Sequence, residues 1–309
     1  MTLVRTHGDL EAVLAPGACP EALREGFPRA RDATVAGQRV RTDLPFPGTA
    51  TALIPGVLPG IEAYTVKVNA KFPGARPALR GVICLHSGQD GELLALLDSA
   101  TVTAWRTGLA AAMGTHALAG PGDVLGVVGA GAQAELTLRG LAELRPWSDL
   151  VVHDTDAGRA EEFAARHTGR TAASAQEVAA VADTVLPATW AREPLLRLSD
   201  TRDGRHFTSP GADEPGKQEL AADLLRAALL VVDDRELAVN TGALAAADLP
   251  AAAAELADVL RGDHPGRASG GSRSVYAPGG LPWQDLAPAW PAYGAAEREG
   301  VGRRIDLLA

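Results

Sequence analysis

The middle of the chain alternates short apolar runs with segments of helical spacing. VLGVVG (124–129) ends in glycines, and AELTLRGLAEL (134–144) follows it with apolar residues at the spacing of a helix face. SAQEVAAVAD (174–183) predicts another helix, with Ser174 as N-cap and Glu177 three residues later. Further strands are predicted at DLVVHD (149–154), DTVLPAT (183–189), RHFTSPG (205–211) and ALLVVDD (228–234). Strands buried on both faces are typical of a parallel sheet covered by helices, so this region predicts a doubly wound α/β domain.

The regions on either side follow a different pattern. LEAVL and ALREGF predict helices near the N-terminus, and TALIPG, EAYTVKVNAKF, RGVICLHS and ELLALLD predict strands without long helices between them. That order indicates an antiparallel or mixed sheet. A helix over 99–118 leads into the middle region, where 244–260 predicts a helix broken at Pro250 and 262–274 predicts a loop. The C-terminal stretch predicts a helix and a last short strand that return to the first domain.

Composition narrows the class of protein. A length of 309 residues suggests about two domains. The net charge of −9 argues against a nucleic acid or an anionic membrane as partner. The two cysteines exclude a disulfide framework and a multi-cysteine zinc site, and the histidines show no metal-ligand spacing, so no metal is expected. No apolar run approaches the ~18 residues of a membrane span, and no signal peptide is evident, so we expect a cytoplasmic protein.

A glycine motif points to a dinucleotide. Gly129-Ala-Gly131-Ala-Gln-Ala134 has the form G-x-G-x-x-A, and it follows a predicted strand and opens a predicted helix. The glycines allow a tight turn and a close approach to the pyrophosphate, and the helix N-terminus offers amide N–H groups. Asp154 ends the next strand, where a carboxylate binds the adenine ribose and favours NAD. Arg159 leaves NADP open as the cofactor.

Several charged side chains are candidates for chemistry. Only three of the 29 basic residues are lysines, Lys67, Lys71 and Lys217, and a buried lysine can exchange a proton. Arg41 and Arg106 lie in otherwise apolar segments, where a guanidinium can hold a carboxylate with two hydrogen bonds. Each of these cations, taken alone, also fits a surface position. Asp213, after a strand of the same sheet, can move protons beside a cofactor, or can cap a helix.

The residues also resemble a known family. The run from DGELLALLDSATVTAWRTG to GVVGAGAQAELTLRGLAEL, with ADTVLPAT, GADEPGKQEL and SVYAPGGLPWQDLAPAW, is similar to the ornithine cyclodeaminase/mu-crystallin family. The resemblance implies an α/β substrate-binding and dimerisation domain formed by 1–115 plus 275–309. It implies a NAD-binding Rossmann domain at 116–274, inserted between these two parts, and a homodimer.

The resemblance also implies roles for single residues. Lys67 and Asp213 are the expected catalytic residues, and Arg41, Arg106 and Lys71 the expected substrate-binding residues. The expected cofactor-binding residues are Thr107, Gly129, Ala130, Gly131, Ala132, Gln133, Asp154 and Thr189.

The family shares one half-reaction, from which the activity of this chain is predicted. A hydride passes between the nicotinamide and Cα of a small L-amino acid or of an imino acid, which can be cyclic. The prediction is therefore an NAD-dependent amino-acid dehydrogenase or imine reductase. Two alternatives remain: a cyclodeaminase, which releases ammonia and recycles its NAD, and a binding protein without turnover. The segment Lys67-Val-Asn69-Ala-Lys71 departs from the ornithine enzymes, which argues against ornithine itself as substrate.

Overall fold

The chain folds around two β-sheets, which belong to two units. The computed structural model describes residues 1–14, 18–30, 40–72, 75, 79–211, 216–267 and 271–307. We call Met1–Arg106 with Leu281–Ala309 the terminal unit, and Thr107–Gly280 the inserted unit. One boundary lies within a helix and the other lies three residues after a strand, whereas the sequence placed them at 115/116 and 274/275.

The elements are named in chain order. The strands are β1 Thr2–Arg5, β2 Val40–Asp43, β3 Ala50–Val57, β4 Ala63–Lys71, β5 Leu79–Ser87, β6 Leu93–Asp98, β7 Val124–Val128, β8 Asp149–His153, β9 Arg170–Thr171, β10 Thr184–Pro187, β11 His206–Thr208, β12 Leu229–Val232, β13 Ala254–Glu255, β14 Ser274–Ala277 and β15 Arg303–Ile305. The helices are α1 His7–Val13, α2 Ala18–Arg29, α3 Ser99–Leu118, α4 Ala132–Leu144, α5 Ala157–Arg166, α6 Ala175–Val181, α7 Ala222–Arg226, α8 Arg235–Thr241, α9 Ala243–Ala246, α10 Leu256–Arg261 and α11 Trp283–Glu299. Across the described residues, none of these helices combines the length and the apolarity needed to cross a bilayer.

The terminal unit contains a mixed seven-stranded sheet in the order β15-β1-β6-β5-β4-β3-β2. β1 is parallel to β6, and the other pairs are antiparallel, which confirms the predicted mixed sheet. Helices α1 and α11 pack on the sheet, and α2 packs against α11. The ring of Trp283 meets the edge of Phe27 with 5.0 Å between centroids, and Gly26 passes so close to this ring that a side chain there would collide with it. The last strand, β15, pairs with β1, so the C-terminus returns to the first domain as predicted.

The inserted unit contains an eight-stranded sheet in the order β13-β12-β14-β11-β10-β7-β8-β9. All of its strand pairs are parallel, as predicted. The apolar runs form the core: Val127, Val151 and Val185 have no exposed surface. β7 lies between β8 and β10, so the chain order reverses direction there. A crevice for a ligand forms at such a point, outside the carboxyl ends of the strands.

The structure corrects part of the prediction for 244–275. The stretch 244–260 is not one broken helix, because β13 at Ala254–Glu255 separates α9 from α10. Ala254 is fully buried and lies beside β12, so the sheet, rather than the helix propensity of alanine, decides its conformation. β14, for which the sequence predicted no strand, fills the position between β11 and β12.

A buried polar network lies among β11, β14 and α3. His206 has no exposed surface, and its Nδ1 and Nε2 atoms lie 2.9 Å from Ser274 Oγ and 2.8 Å from Thr208 Oγ1. The hydroxyl of Thr208 lies 2.6 Å from that of Thr115, which donates to the carbonyl of Ala111 at 2.7 Å. Burial lowers the pKa of His206 to about 3, with a further contribution from nearby arginines. The imidazole is therefore neutral in the folded protein at physiological pH.

This histidine is expected to make stability depend on pH. Below about pH 6.5 an unfolded chain binds a proton at His206 that the folded chain does not bind until about pH 3. The stabilisation is thus complete above pH 6.5 and is lost as pH falls, by up to ~1.4 kcal/mol per pH unit. Denaturant titrations of the wild type and of His206→Gln between pH 8 and pH 4.5 measure this. The difference in the free energy of unfolding between the wild type and the variant should be constant above pH 7 and should decrease at lower pH. A pH-independent difference would show that His206 is not the source.

Candidate cofactor and substrate sites

The glycine motif forms a tight turn at the carboxyl end of β7. Gly129 has a φ of +95°, which favours glycine, and its amide donates to the carbonyl of His153 at 2.8 Å. A Cβ at Gly129 would lie 2.7 Å from the carbonyl oxygen of Ala188, which follows β10. The turn therefore packs against the segment after β10, with no room for a side chain.

The second glycine leaves open space above the helix. Gly131 is the N-cap residue of α4 and has no side-chain oxygen to cap the first turn. A Cβ at this position would meet no atom within 4 Å. The side-chain oxygen of Gln133, in the first turn of α4, is buried and has no hydrogen-bond partner. An open N-terminus together with an unsatisfied amide fits the phosphates and ribose of a dinucleotide. Gly131 and Gln133, two of the predicted cofactor residues, thus lie together at the open N-terminus of α4.

Asp154 follows β8 and bonds to this turn. Its Oδ2 accepts from the amide of Ala130 at 2.8 Å, and its Oδ1 accepts from the amide of Asp156 at 2.9 Å. Arg159 lies nearby, with its Nη1 at 3.8 Å from Asp154 Oδ2. The carboxylate therefore orders the motif, and the guanidinium of Arg159 lies beside it.

The other predicted cofactor residues lie in the inserted unit. Thr107 is partly exposed on α3, Ala130 is buried in the turn, and Ala132 is exposed as the first residue of α4. Thr189 follows β10, but its hydroxyl donates to the carboxylate of Glu219 at 2.8 Å. The hydroxyl of Thr189 is therefore engaged within the protein.

Glu219 was missed by sequence reasoning. Its side chain has no exposed surface, and each carboxylate oxygen accepts two hydrogen bonds. Oε1 accepts from the amide and hydroxyl of Thr189 at 2.6 and 2.8 Å. Oε2 accepts from the hydroxyl of Ser209 at 2.6 Å and from the amide of Gly211 at 3.0 Å. Burial raises the pKa of Glu219 to about 7, and these donors oppose that rise. In the sequence it is one carboxylate among 38, and although it lies in the segment GADEPGKQEL, that segment directed attention to Asp213.

Two of the predicted cations meet in the terminal unit. Lys67 lies on β4, where alternate residues point towards the helices, and its ammonium is 2.6 Å from Oδ2 of Asp285. Arg106 on α3 places its Nε 3.4 Å from Oδ1 of the same carboxylate. The side chains of Lys67 and Asp285 are 3% and 1% exposed. An ammonium and a guanidinium therefore converge on one buried carboxylate at the N-terminus of α11.

Gln284 completes this cluster. Its side-chain oxygen accepts from the amide of Leu281 at 3.1 Å and from Nη1 of Arg106 at 3.5 Å. Gln284 and Asp285 lie in the first turn of α11, and neither was predicted as a site residue. The signal available in the sequence was LPWQD, where a proline precedes two polar residues that open an apolar helix.

The register of the sheet places the remaining predicted cations on the same face. Arg41 pairs with Ala52, which pairs with Asn69, and paired residues share a face. Asn69 lies between Lys67 and Lys71 on the inward side of β4. Arg41 is itself exposed at the sheet edge, with an ion pair of 3.0 Å to Asp43. The structure thus brings Lys67 and Arg106 together, and puts Arg41 and Lys71 on the same side of the sheet.

The predicted acid Asp213 lies outside the described residues, as do its neighbours at 212–215. Gly211 and Gly216 flank this segment. Lys217 follows it, with its ammonium 4.3 Å from the centre of the Trp190 ring. Within the described ranges, no group of three or more histidine, cysteine or acidic side chains is arranged to hold a metal ion.

Comparison with known proteins gives a consistent result. Residues 2–300 match the model of the ornithine cyclodeaminase/mu-crystallin family. Ketimine reductase mu-crystallin of Mus musculus is 32% identical over 287 residues, which cover 88% of this chain and 89% of that protein. A structure of an archaeal alanine dehydrogenase dimer with bound NAD has a TM-score of 0.89 at 26% identity and covers 99% of both chains. Δ1-pyrroline-2-carboxylate reductase of Thermococcus litoralis, in complex with NADH and L-proline, has a TM-score of 0.90 at 26% identity, over 98% of this chain and 100% of that one.

The buried pair of Lys67 and Asp285 is expected to be coupled energetically. Asp285→Asn leaves a buried ammonium without its counter-ion and should lower the free energy of unfolding by about 3–5 kcal/mol. A second change, Lys67→Met, should restore much of this loss, because it removes the charge and keeps the apolar stem. Denaturant titrations of the two single variants and the double variant measure the coupling.

The matched control for this cycle is Asp43→Asn. It removes the partner of the exposed Arg41 and should change the free energy of unfolding by less than about 1 kcal/mol. If the Lys67 and Asp285 changes were simply additive, the two side chains would not act as a pair.

Proposed function

The chain belongs to the ornithine cyclodeaminase/mu-crystallin family, and from this premise we propose that it is an NAD(P)-dependent oxidoreductase acting on a small amino or imino acid. Its reaction moves a hydride between the nicotinamide and Cα of an L-amino acid or of an imino acid, including cyclic ones. The relatives named above are a ketimine reductase, an alanine dehydrogenase and a pyrroline-2-carboxylate reductase.

The observation that carries this proposal is the convergence of Lys67 and Arg106 on Asp285. Two cations held by one buried carboxylate cannot turn away to solvent, so they are preorganised to meet an anionic group. A substrate carboxylate supplies that group, and Arg106 offers it a planar pair of donors. Lys67, an ammonium with three donors, orients the substrate and hands a proton to its nitrogen. Arg41 and Lys71 add positive charge on the same face of the sheet.

The inserted unit is the proposed cofactor domain. Gly129, Gly131 and the amides that open α4 hold the pyrophosphate, and Asp154 holds the adenine ribose. The bound nicotinamide supplies the hydride chemistry. Gln133 uses its unpartnered oxygen to bind the cofactor. We assign NAD as the main cofactor, because a carboxylate ends β8, with NADP accommodated through Arg159.

Asp213 is the proposed acid/base residue. In the sequence it comes shortly after β11, and the ligand of a doubly wound domain binds at the carboxyl ends of such strands. A carboxylate there exchanges a proton with the substrate nitrogen or with an attacking water.

We further propose that the protein is a homodimer formed through the outward face of the seven-stranded sheet. Val40, Leu53, Val68 and Val82 form a continuous cross-strand row on this face, and Leu53 is 46% exposed. Exposed apolar rows of this kind mark protein interfaces. The archaeal alanine dehydrogenase was itself solved as a dimer. A cytoplasmic location is part of the proposal, because the reaction draws on NAD(H) and both cysteines are free thiols.

The direct test follows NADH absorbance with 1-pyrroline-2-carboxylate, and separately with pyruvate plus ammonium. Loss of absorbance with the first substrate identifies an imine reductase, and with the second an amino-acid dehydrogenase. NADH binding without turnover, combined with ammonia release from ornithine or lysine, identifies a cyclodeaminase. NADH binding with neither reaction indicates a binding protein and overturns the proposed activity.

Arg106→Lys tests the carboxylate site. A lysine keeps the charge but loses the planar fork, so the KM for the imino acid should rise about ten-fold or more while the Kd for NADH stays unchanged. Arg29→Lys is the matched control, because Arg29 is an exposed arginine of the same unit in an ion pair with Glu25. An unchanged KM in Arg106→Lys would remove Arg106 from the substrate site.

A further inference from the structure

Two chain segments leave the carboxyl end of the parallel sheet side by side. The first, at 188–191, follows β10, and the second, described at 209–211 and 216–219, follows β11. The amide of Gln218 donates to the carbonyl of Ala191 at 2.9 Å, so the backbones of the two segments meet directly. Their side chains meet as well, because Lys217 lies over the ring of Trp190.

The fully buried side chain of Glu219 connects these two segments through hydrogen bonds. One carboxylate oxygen holds Thr189 of the first segment, and the other holds Ser209 and Gly211, where the second segment begins. Glu219 is itself where the second segment ends. Its carboxylate therefore ties Ser209 and Gly211, at the start of the second segment, to Thr189 in the segment after β10.

The hydrogen-bond donors around the Glu219 carboxylate cannot readily become acceptors. The hydroxyl of Thr189 accepts from the amide of Ala191 at 3.2 Å, which directs its own proton to Glu219. The amides of Thr189 and Gly211 can only donate. A Cβ at Gly211 would collide with the Glu219 carboxylate and would lie 2.6 Å from the carbonyl oxygen of Thr189. The two segments and the Glu219 carboxylate are therefore so closely packed at Gly211 that no side chain fits there.

We call Glu219 with its partners Thr189, Ser209 and Gly211 the clamp. Thr189 of this clamp also contacts the turn after β7 that carries Gly129. Besides its approach to Ala188, the Cβ position of Gly129 lies 2.8 Å from Cγ2 of Thr189. A shift of Thr189 would therefore press on the turn after β7 or leave a gap beside it. A change in Glu219 is thereby transmitted to the residues proposed to hold the pyrophosphate.

We propose that Glu219 is a positioning residue, which in its ionised form holds the cofactor turn after β7 and the segment at 209–211 in their working arrangement. The assignment rests on the proposed function, since it takes the turn after β7 as the cofactor site. Glu219 is fully buried, and none of its described contacts gives it a role in hydride or proton transfer. Its effect is exerted through Thr189, Ser209 and Gly211.

Protonation of Glu219 is expected to release the clamp. A neutral carboxyl carries a proton that needs an acceptor, and only the hydroxyls among its four partners can accept one. Since the pKa of Glu219 is raised by burial to about 7, the ionised form predominates above neutral pH and is lost below it. NADH affinity should therefore fall as pH decreases through this range.

Other charged groups lie on the segments packed around Glu219. Lys217 lies on Trp190, and Arg192 lies close to the backbone of Gly216. Asp223, on α7, accepts from the amide of Leu224. Asp233, beyond β12, accepts from Tyr276 and Gly280, and Asp213 and Glu214 lie outside the described residues. The pH test therefore needs a variant that changes only the titration of Glu219.

The experiment measures the Kd of NADH by fluorescence from pH 6 to pH 9, without substrate. Glu219→Gln places an amide NH₂ group against two of the four donors, so at pH 8.5 its Kd should be about ten-fold higher or more than that of the wild type. Near pH 6 the two proteins should converge, and the variant should show little dependence on pH. Glu177→Gln, which alters a carboxylate on α6 bonded to the amide of Ala173, should leave the Kd within about two-fold.

Ser209→Ala supplies the second arm, and it remains informative if Glu219→Gln does not fold. Loss of one donor raises the pKa of Glu219, so the midpoint of the pH dependence should move to higher pH. A merely structural role would weaken binding at every pH without moving the midpoint. Wild-type binding in Glu219→Gln at all pH values, or an unmoved midpoint in Ser209→Ala, overturns the assignment.

These measurements distinguish failure of the positioning role of Glu219 from failure of the proposed enzymatic activity. If binding follows the expected pattern while no imine is reduced, only the proposed activity fails. If NADH is oxidised normally while Glu219→Gln binds like the wild type, only the positioning role fails. If the wild type does not bind NADH, both fail.

Discussion

A carboxylate withdrawn from water must be met by donors or cations, and both units are organised around this requirement. In the terminal unit Asp285 is 1% exposed and is met by Lys67 and Arg106. In the inserted unit Glu219 has no exposed surface and is met by four donors from three residues. Each uncompensated charge would cost several kcal/mol, so the elements that supply the partners cannot drift apart. The result is that β4, α3 and the start of α11 are tied together, as are the segments after β10 and β11.

The two carboxylates do different work. Asp285 lies against two cations, Lys67 and Arg106, and holds these positive side chains in place. Glu219 has uncharged donors as its described partners, so it orders backbone instead of presenting charge. This division suits an enzyme whose cofactor carries the chemistry, since the protein then has to supply orientation and proton management. It also explains why residues that would touch neither substrate nor cofactor are as buried as any in the core.

Sequence reasoning performed best where a residue's neighbours in the chain decide its environment. The turn at Gly129 and Gly131, the strand before it and the helix after it depend on local geometry, and they appear where expected. Ser174 caps α6 through the amide of Glu177, as predicted from the spacing of the two residues. The parallel order of the middle sheet followed from continuous apolar strands alternating with helices. The positions of β13 and β14 were missed, because a strand of two to four residues depends on what lies beside it.

The sequence by itself determined the doubly wound domain, the dinucleotide turn with Asp154, and the family resemblance that singled out Lys67 and Arg106. Only the tertiary structure decided that these two cations share Asp285, some 180 to 220 residues away along the chain. It also decided that the hydroxyl of Thr189 donates its hydrogen bond to Glu219. The physical reason is that spacing along a strand or helix is local, whereas the partner of a buried charge is chosen by whichever element the fold brings alongside. A sequence pattern therefore marks a group that can do chemistry, and tertiary packing settles what that group is bound to.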